Sequence, residues 1–442
     1  MDTNRQQPTA RIVTLGCKLN FAESATIARR LKEKGIDAGT AESADTRPDI
    51  IVVNTCSVTA LADKKCRQQI RSLHRRYPDA LIAVTGCYAQ LKGQEVAAID
   101  GVDIVLGNEE KLDLAEHVIA WLDRREKHLT VTRHQDIRRF SPSCECGDRT
   151  RYFLKVQDGC DYYCSYCTIP LARGRSRSGT IADLTRQAAD VAAAGGKEIV
   201  ITGVNIGDFG KNIGERFIDL VKALDAVDGI ERYRISSLEP DLLDDELIDY
   251  CAASRAFMPH FHIPLQSGND DVLTLMRRHY NRDLFARKVE KIRQAMPHAF
   301  IGVDVMAGTR GETEERFNDS YNFIAALDVQ HLHVFPYSER PGTLALRIPY
   351  IVDRAEKERR VARLMALSER KERDFIGRFL GTARPVLIEQ PPEGSTVMHG
   401  FTDNYIRLTM PYDPTVVNSV TDARLDTLGD NLNVAATIIQ PS

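Results

Sequence analysis

Cys160, Cys164 and Cys167 follow one another with three and then two residues between them, inside the segment RYFLKVQDGCDYYCSYCTIPLARGRSRSG at residues 151–179. A cubane 4Fe-4S cluster takes four thiolates, and three closely spaced ones leave one iron without a nearby protein ligand. That open iron is the reactive feature of such a centre. The alternatives are a zinc knuckle, which wants a fourth Cys or His close by, or three unrelated buried thiols.

Three further cysteines share a second pattern. Residues 11–15, 49–53 and 80–84 are short β-rich apolar runs, each followed by a polar amphipathic helix, which predicts a doubly wound parallel sheet over residues 1–125. Cys17 in LGC, Cys56 in NTC and Cys87 in TGC each stand just past the carboxyl end of a run, where such sheets gather their ligands. Residues about 30 to 40 apart in sequence are thereby expected to meet at one sheet edge as a second cluster site, the alternative being three core thiols. Cys66 falls in helical register with Ile70 and Leu73 and is expected in the core, as is Cys251. Residues 126–150, ending FSPSCECGDRT, have a linker's composition, and Cys144 and Cys146 there are expected to be an exposed reduced pair.

The Cys-x3-Cys-x2-Cys segment, with Tyr166 before its last cysteine, resembles the radical S-adenosylmethionine (SAM) superfamily. The resemblance implies that SAM chelates the open iron and is cleaved by one electron to a 5′-deoxyadenosyl radical. It also implies a partial parallel barrel. Six strand candidates at 152–156, 198–202, 232–236, 261–265, 300–306 and 331–335, separated by helical stretches, agree with a (β/α)6 barrel over residues 151–377 whose active edge is the carboxyl ends of its strands. The segments AGGKEIVITGVNIG, RISSLEP, HIPLQSGNDDVLTLMRRHY, GVDVMAGTRGET and HVFPYSERPGTLA resemble the methylthiotransferase family, which also carries three N-terminal cysteines. By that resemblance Gly195 and Gly196 approach the SAM methionine moiety, and Ser236, Glu239 and Gln266 bond its polar groups. His262, inside a strand, is expected to be a satisfied core histidine. One departure is Gly308, Thr309, Arg310, Gly311, Glu312 and Thr313, where the family commonly has Gly-Phe-Pro-Gly-Glu-Thr.

After a charged amphipathic helix, five short alternating segments predict a small β-barrel over residues 378–442, which resembles the RNA-binding TRAM domain. Tyr405 and Arg407 are its candidates to meet base and phosphate, the alternative being a solvated sheet face. The 442 residues, 43% apolar and 27% charged with net charge -3, exclude one ordinary core and a globally basic nucleic-acid binder. No run reaches the ~20 apolar residues of a membrane helix, so the cytoplasm is the expected location and no membrane partner is expected.

Gly16, Cys17, Lys18, Leu19 and Asn20 resemble the family branch that acts on threonylcarbamoyladenosine in tRNA. The resemblance implies two 4Fe-4S clusters, SAM, the tRNA anticodon stem-loop and an electron donor such as a flavodoxin or ferredoxin. One SAM methylates a sulfur held at the N-terminal cluster, and a second supplies the radical that opens C2 of the adenine to the methylthio group. The rivals are the branches acting on isopentenyladenosine or on a ribosomal protein aspartate, and a non-catalytic iron-sulfur or RNA-binding protein.

Overall fold

The structure, a computed structural model, describes residues 7–39, 47–144 and 150–439; Cys146 lies outside them. The first layer is a parallel sheet in the order β2-β1-β3-β4-β5-β6, built from β1 Thr9–Thr14, β2 Asp37–Gly39, β3 Ile50–Thr55, β4 Leu81–Gly86, β5 Ile104–Leu106 and β6 His128–Thr130. Every residue of β3 and β4 is buried, because helices cover both faces and the strands can be apolar throughout. Ile50 and Val52 face the helices Lys18–Glu33 and Leu114–Arg124, while Ile51 and Val53 face the helix Ala60–Arg76. The strand order turns back between β1 and β3, which makes their carboxyl ends the switch-point crevice of the sheet. Residues 126–150, expected as a linker, supply β6 at the sheet edge and β7 Ser143–Cys144, which pairs antiparallel with β8 Arg151–Lys155.

From β8 the chain makes the antiparallel pair β9 Gln157–Asp158 and β10 Arg177–Ser178, then β11 Glu198–Thr202, β12 Arg232–Ile235, β13 His260–Gln266, β14 Phe300–Ala307 and β15 His331–Pro336. Strands β8, β11 and β12 are parallel neighbours, as are β13, β14 and β15, and parallel bridges at Tyr233–Phe257 and Ser237–His262 join the two groups into a six-stranded partial barrel. All six expected strands are present. Tyr152, Ile199, Tyr233, Phe261, Ile301 and Leu332 turn outward into the helix layer, so their alternates line a lumen. In the loop that departs from the family pattern, Arg310 bonds Glu339 at 2.7 Å and Glu312 accepts from the Gly308 amide at 2.6 Å and from Arg360 at 2.9 Å, so the turn stays pinned.

The helix Arg354–Gly377 leads to a closed five-stranded barrel, β16 Ala383–Ile388, β17 Val397–Thr402, β18 Arg407–Pro411, β19 Val420–Leu428 and β20 Val434–Ile438, in the order β16-β17-β18-β20-β19. It docks on the amino-end mouth of the larger barrel. Arg232 donates to Phe401 O at 2.9 Å, and Arg234 donates to Asp403 O at 2.9 Å and Thr402 O at 2.8 Å. Tyr405, at φ 68°, puts its ring 4.3 Å from His260 and under the Arg234 guanidinium at 4.9 Å. The expectation that Tyr405 meets a base is therefore corrected, because the ring stops the lumen; Arg407 remains exposed. Tyr405→Ala is expected to remove about 2 kcal/mol of this docking, since a half-buried ring loses part of the cost of a fully buried one. Thermal scanning should show an earlier first transition, and an unmoved one would mean the ring contributes nothing. No helix of the described residues is long and apolar enough to cross a membrane.

Candidate active site

The loop after β9 turns at Gly159, at φ 73°, where any Cβ would collide with the Arg175 carbonyl, so only glycine lets the chain pass. Cys160 N then bonds Gly174 O at 3.1 Å and Cys167 N bonds Cys164 O at 3.1 Å, which folds the three thiols into one loop. Each sulfur accepts a donor: Tyr162 N to Cys160 at 3.5 Å, Arg278 Nη1 to Cys164 at 3.2 Å, and Ile169 N to Cys167 at 3.4 Å. Burial pushes the thiols of Cys160 and Cys167 up to about 12, a cost that a bound metal cation reverses by taking the thiolate. Arg278 also bonds Glu239 and Tyr280.

Opposite this loop stand the N-terminal cysteines. Thr55 pairs with Gly86 across β3 and β4, so Cys56 and Cys87 emerge side by side, and Cys17 follows the neighbouring strand β1. Gly86, at φ 95°, lies so close to the Thr55 backbone that a Cβ there would clash, and a Cβ on Gly16 would stand 2.7 Å from that of Cys56. Asn20 ties the loops after β1 and β3 by donating to Leu15 O at 2.8 Å and Thr55 O at 3.2 Å. Burial, with the neighbouring Cys87 and Cys17, pushes Cys56 up to about 12, whereas Cys17 is exposed. Cys66 is in the core as expected and donates to Cys56 O at 3.4 Å; Cys251 is a core thiol too.

Around the barrel mouth, Gln266 ends β13 at φ 63° with a buried Oε1 that has no partner among the described residues. An amide held in the left-handed region with an orphaned acceptor is a binding group waiting for a donor. Ser236 follows β12 on the face of Arg234, and Tyr166 and Cys167 share a cavity with Gln266. Burial raises the Glu239 carboxyl, and one of its oxygens is already taken by Arg278. Gly195 and Gly196 are a correction. Their amides bond Ala192 O and Val191 O at 2.9 Å, ending the helix Ile181–Ala193 at the amino end of β11, away from the mouth. The carboxyl end of β11 instead carries Gly203 and Asn205, held by Gln157, whose Oε1 accepts from Val204 N at 3.0 Å and Asn205 N at 2.8 Å. Asn205 Oδ1 is buried without a partner among the described residues. On the lumen face His262 bonds Asp304 at 2.8 Å, and burial with His262 and His331 pushes His333 down to about 4.

One cavity of ≈ 200 Å³ is walled by Val58 and Thr59 from the loop after Cys56, by Tyr166 and Cys167 from the cluster loop, and by Met306 and Phe335 from the barrel; of the six cysteines Cys167 alone lines it. Arg340 clamps the two sides, donating to Ser57 at 2.8 Å and Asp63 at 3.0 Å. Of the alternating arginines after the cluster loop, Arg173 and Arg177 are buried in ion pairs and Arg175 is exposed.

Residues 9–107 match the family described as Uncharacterized protein family UPF0004, and residues 154–324 match the radical SAM superfamily. A threonylcarbamoyladenosine tRNA methylthiotransferase of Bacillus subtilis is 37% identical over 428 residues, covering 94% of this chain and 93% of its own. The chain belongs to the radical SAM methylthiotransferases. An Aquifex aeolicus threonylcarbamoyladenosine tRNA methylthiotransferase is 36% identical over 382 residues, 85% of this chain and 92% of its own. A Syntrophomonas wolfei tRNA-2-methylthio-N(6)-dimethylallyladenosine synthase is 32% identical over 397 residues, 88% of each chain. The radical SAM methyltransferase TsrM of Kitasatospora setae shares the fold, with TM-score 0.57 at 16% identity over 74% of this chain and 73% of its own. As a radical SAM methylthiotransferase the chain uses SAM and two 4Fe-4S clusters. The residues present offer donors of the right kind for these groups: two sets of three free thiols, and Gln266 and Asn205 oxygens unpartnered among the described residues.

Proposed function

We propose that this methylthiotransferase adds a methylthio group to C2 of N6-threonylcarbamoyladenosine next to the tRNA anticodon. Cys160, Cys164 and Cys167 hold the cluster that cleaves SAM, and Cys17, Cys56 and Cys87 hold the second. The observation that carries the reading is the cavity walled on one side by the loop after Cys56 and on the other by Tyr166 and Cys167, a place for one base between two centres. When bound, the SAM-ligated cluster supplies a hydrogen-abstracting radical and the second centre holds the sulfur to be transferred. The chain's own residues position and shield. Gln266 and Asn205 accept from SAM's amino or hydroxyl groups, Ser236 and Tyr166 line its place, and Arg278 balances the charge of Cys164 and fixes Glu239. Met306 and the half-exposed ring of Phe335 give the cavity an apolar wall.

The threonyl carboxylate beside the purine wants a cation, whereas an isopentenyl group wants an apolar pocket. Lys18, directly after Cys17, is exposed and within electrostatic reach of His260 and His333 on the lumen face, so it serves the first. The enzyme is expected to methylthiolate tRNA carrying threonylcarbamoyladenosine and to act poorly on tRNA carrying isopentenyladenosine. Mass analysis of digested nucleosides decides this, and an adduct confined to the isopentenyl substrate or to a ribosomal protein aspartate would sink the branch assignment. A flavodoxin or ferredoxin supplies the electron, in the cytoplasm.

Arg175 and Arg138, neither with a side-chain partner among the described residues, line a hollow of ≈ 550 Å³ with His134 and the exposed ring of Tyr163. Free guanidinium groups beside an exposed ring suit the anticodon stem-loop's phosphates and bases. Arg175→Gln is expected to weaken tRNA binding and flatten its salt dependence by about one unit of slope. An unchanged slope in a filter-binding titration would show that Arg175 meets no phosphate.

A further inference from the structure

Six charged side chains from two domains are packed together almost out of reach of water. Glu23 bonds Lys111 at 2.6 Å, Lys155 at 2.8 Å and Arg173 at 3.0 Å, and Asp158 bonds Lys155 at 2.7 Å, Arg173 at 3.0 Å and Arg177 at 3.2 Å. No side chain among them is more than 7% exposed. Glu23 and Lys111 come from the N-terminal sheet domain, the other four from the radical SAM domain. Both carboxyls are held far below the usual carboxylate range, against the cost of burial, by the cations around them.

Two carboxylates thus face four basic side chains, of which burial pulls the Lys111 ammonium down. Locking two domains together would need no more than a cation for each carboxylate, and burying an uncompensated charge is costly. The excess points to a missing anion, and the geometry shows where it belongs. Arg173 Nη2 donates to Asn20 Oδ1 at 2.8 Å, and Cys17 Sγ lies 3.9 Å from that same oxygen. Arg173 is also within electrostatic reach of both Cys17 and Cys87. Arg278 stands in the matching relation to the other cysteine set, in direct contact with Cys164.

We propose that Arg173, backed by Lys111, Lys155 and Arg177, is the countercharge to the iron-sulfur centre at Cys17, Cys56 and Cys87, carried to it across the domain interface and raising its reduction potential. This rests on the reading that those three cysteines hold the second cluster. Thiolates give such a centre negative charge, an added electron gives it more, and net charge is one of the terms that set its potential. Arg173 is a positioning residue. Because it comes from the radical SAM domain, the N-terminal centre has its full electrostatic surroundings only while the two domains are docked.

The test uses the full chain with Cys160, Cys164 and Cys167 changed to Ala, so that one centre remains, titrated anaerobically with dithionite and followed by electron paramagnetic resonance. Adding Arg173→Gln is expected to lower the reduced-to-oxidised ratio at the parent's midpoint at least tenfold, about 59 mV for a one-electron couple. Arg173→Lys, which keeps the charge, is expected to restore most of it. A midpoint unmoved or raised by Arg173→Gln overturns the proposal. If that variant does not fold, Lys111→Gln is read instead, with a smaller fall expected and an unmoved midpoint again decisive against. Absence of any iron signal in the parent overturns the cysteine assignment itself.

Discussion

Anaerobically reconstituted protein is expected to bind about eight irons, and the variant with Cys160, Cys164 and Cys167 all changed to Ala about four, at four irons per cubane cluster. Reductive SAM cleavage should fall to background in that variant. The three thiols occupy one loop, pinned by bonds from Cys160 N and Cys167 N and by Gly159, so alanine leaves the loop its shape and removes only the sulfur donors. Arg278 would lose its contact with Cys164 yet keep Glu239 and Tyr280, which limits the structural damage. Iron analysis and chromatographic detection of 5′-deoxyadenosine provide the two readouts. Cleavage persisting at the parent rate would mean that the open iron lies elsewhere.

Changing Cys17, Cys56 and Cys87 to Ala should give the complementary result: SAM cleavage still measurable, methylthio product absent. These cysteines sit past β1, β3 and β4, on a different sheet from the cluster loop, and the two sides meet at the cavity and through Arg173, which bonds Asn20. Their loops are held by Gly16, Gly86 and Asn20 rather than by the sulfurs. Product formation at the parent level would show that the transferred sulfur is not held there. Loss of cleavage as well would show that the two sites are not independent.

How far sequence reaches is clear from particular residues. The strands of the N-terminal sheet were legible because helices bury them on both sides, leaving runs such as IIVV and LIAV that polar positions do not interrupt. The two cysteine triads were legible through local spacing in one case and strand-end placement in the other. The glycine pair at 195–196 misled, because glycine beside a strand signals close approach without saying which end of the strand is meant. Its neighbour Ala194, closing an alanine-rich amphipathic stretch, was the available sign of a helix cap. Arg278, Arg340 and Gln157 left no local mark, since their contacts with Cys164, Ser57 and Asn205 reach far along the chain. The ion cluster was hidden for the same reason: Arg173 meets Glu23 across 150 positions, and no periodicity announces such a pair.

The ring of Tyr405 at the foot of the larger barrel makes the small barrel a stopper as well as a candidate RNA handle. Cutting the chain after the helix Arg354–Gly377 would take the carbonyl acceptors from Arg232 and Arg234, strip the apolar cover from Phe375 and Ile376, and let solvent in beneath His260. A truncated enzyme would therefore leak. Radicals generated in a lumen open at its base meet water and buffer before they meet a substrate, so SAM would be spent without product even on an RNA fragment that needs no help in binding.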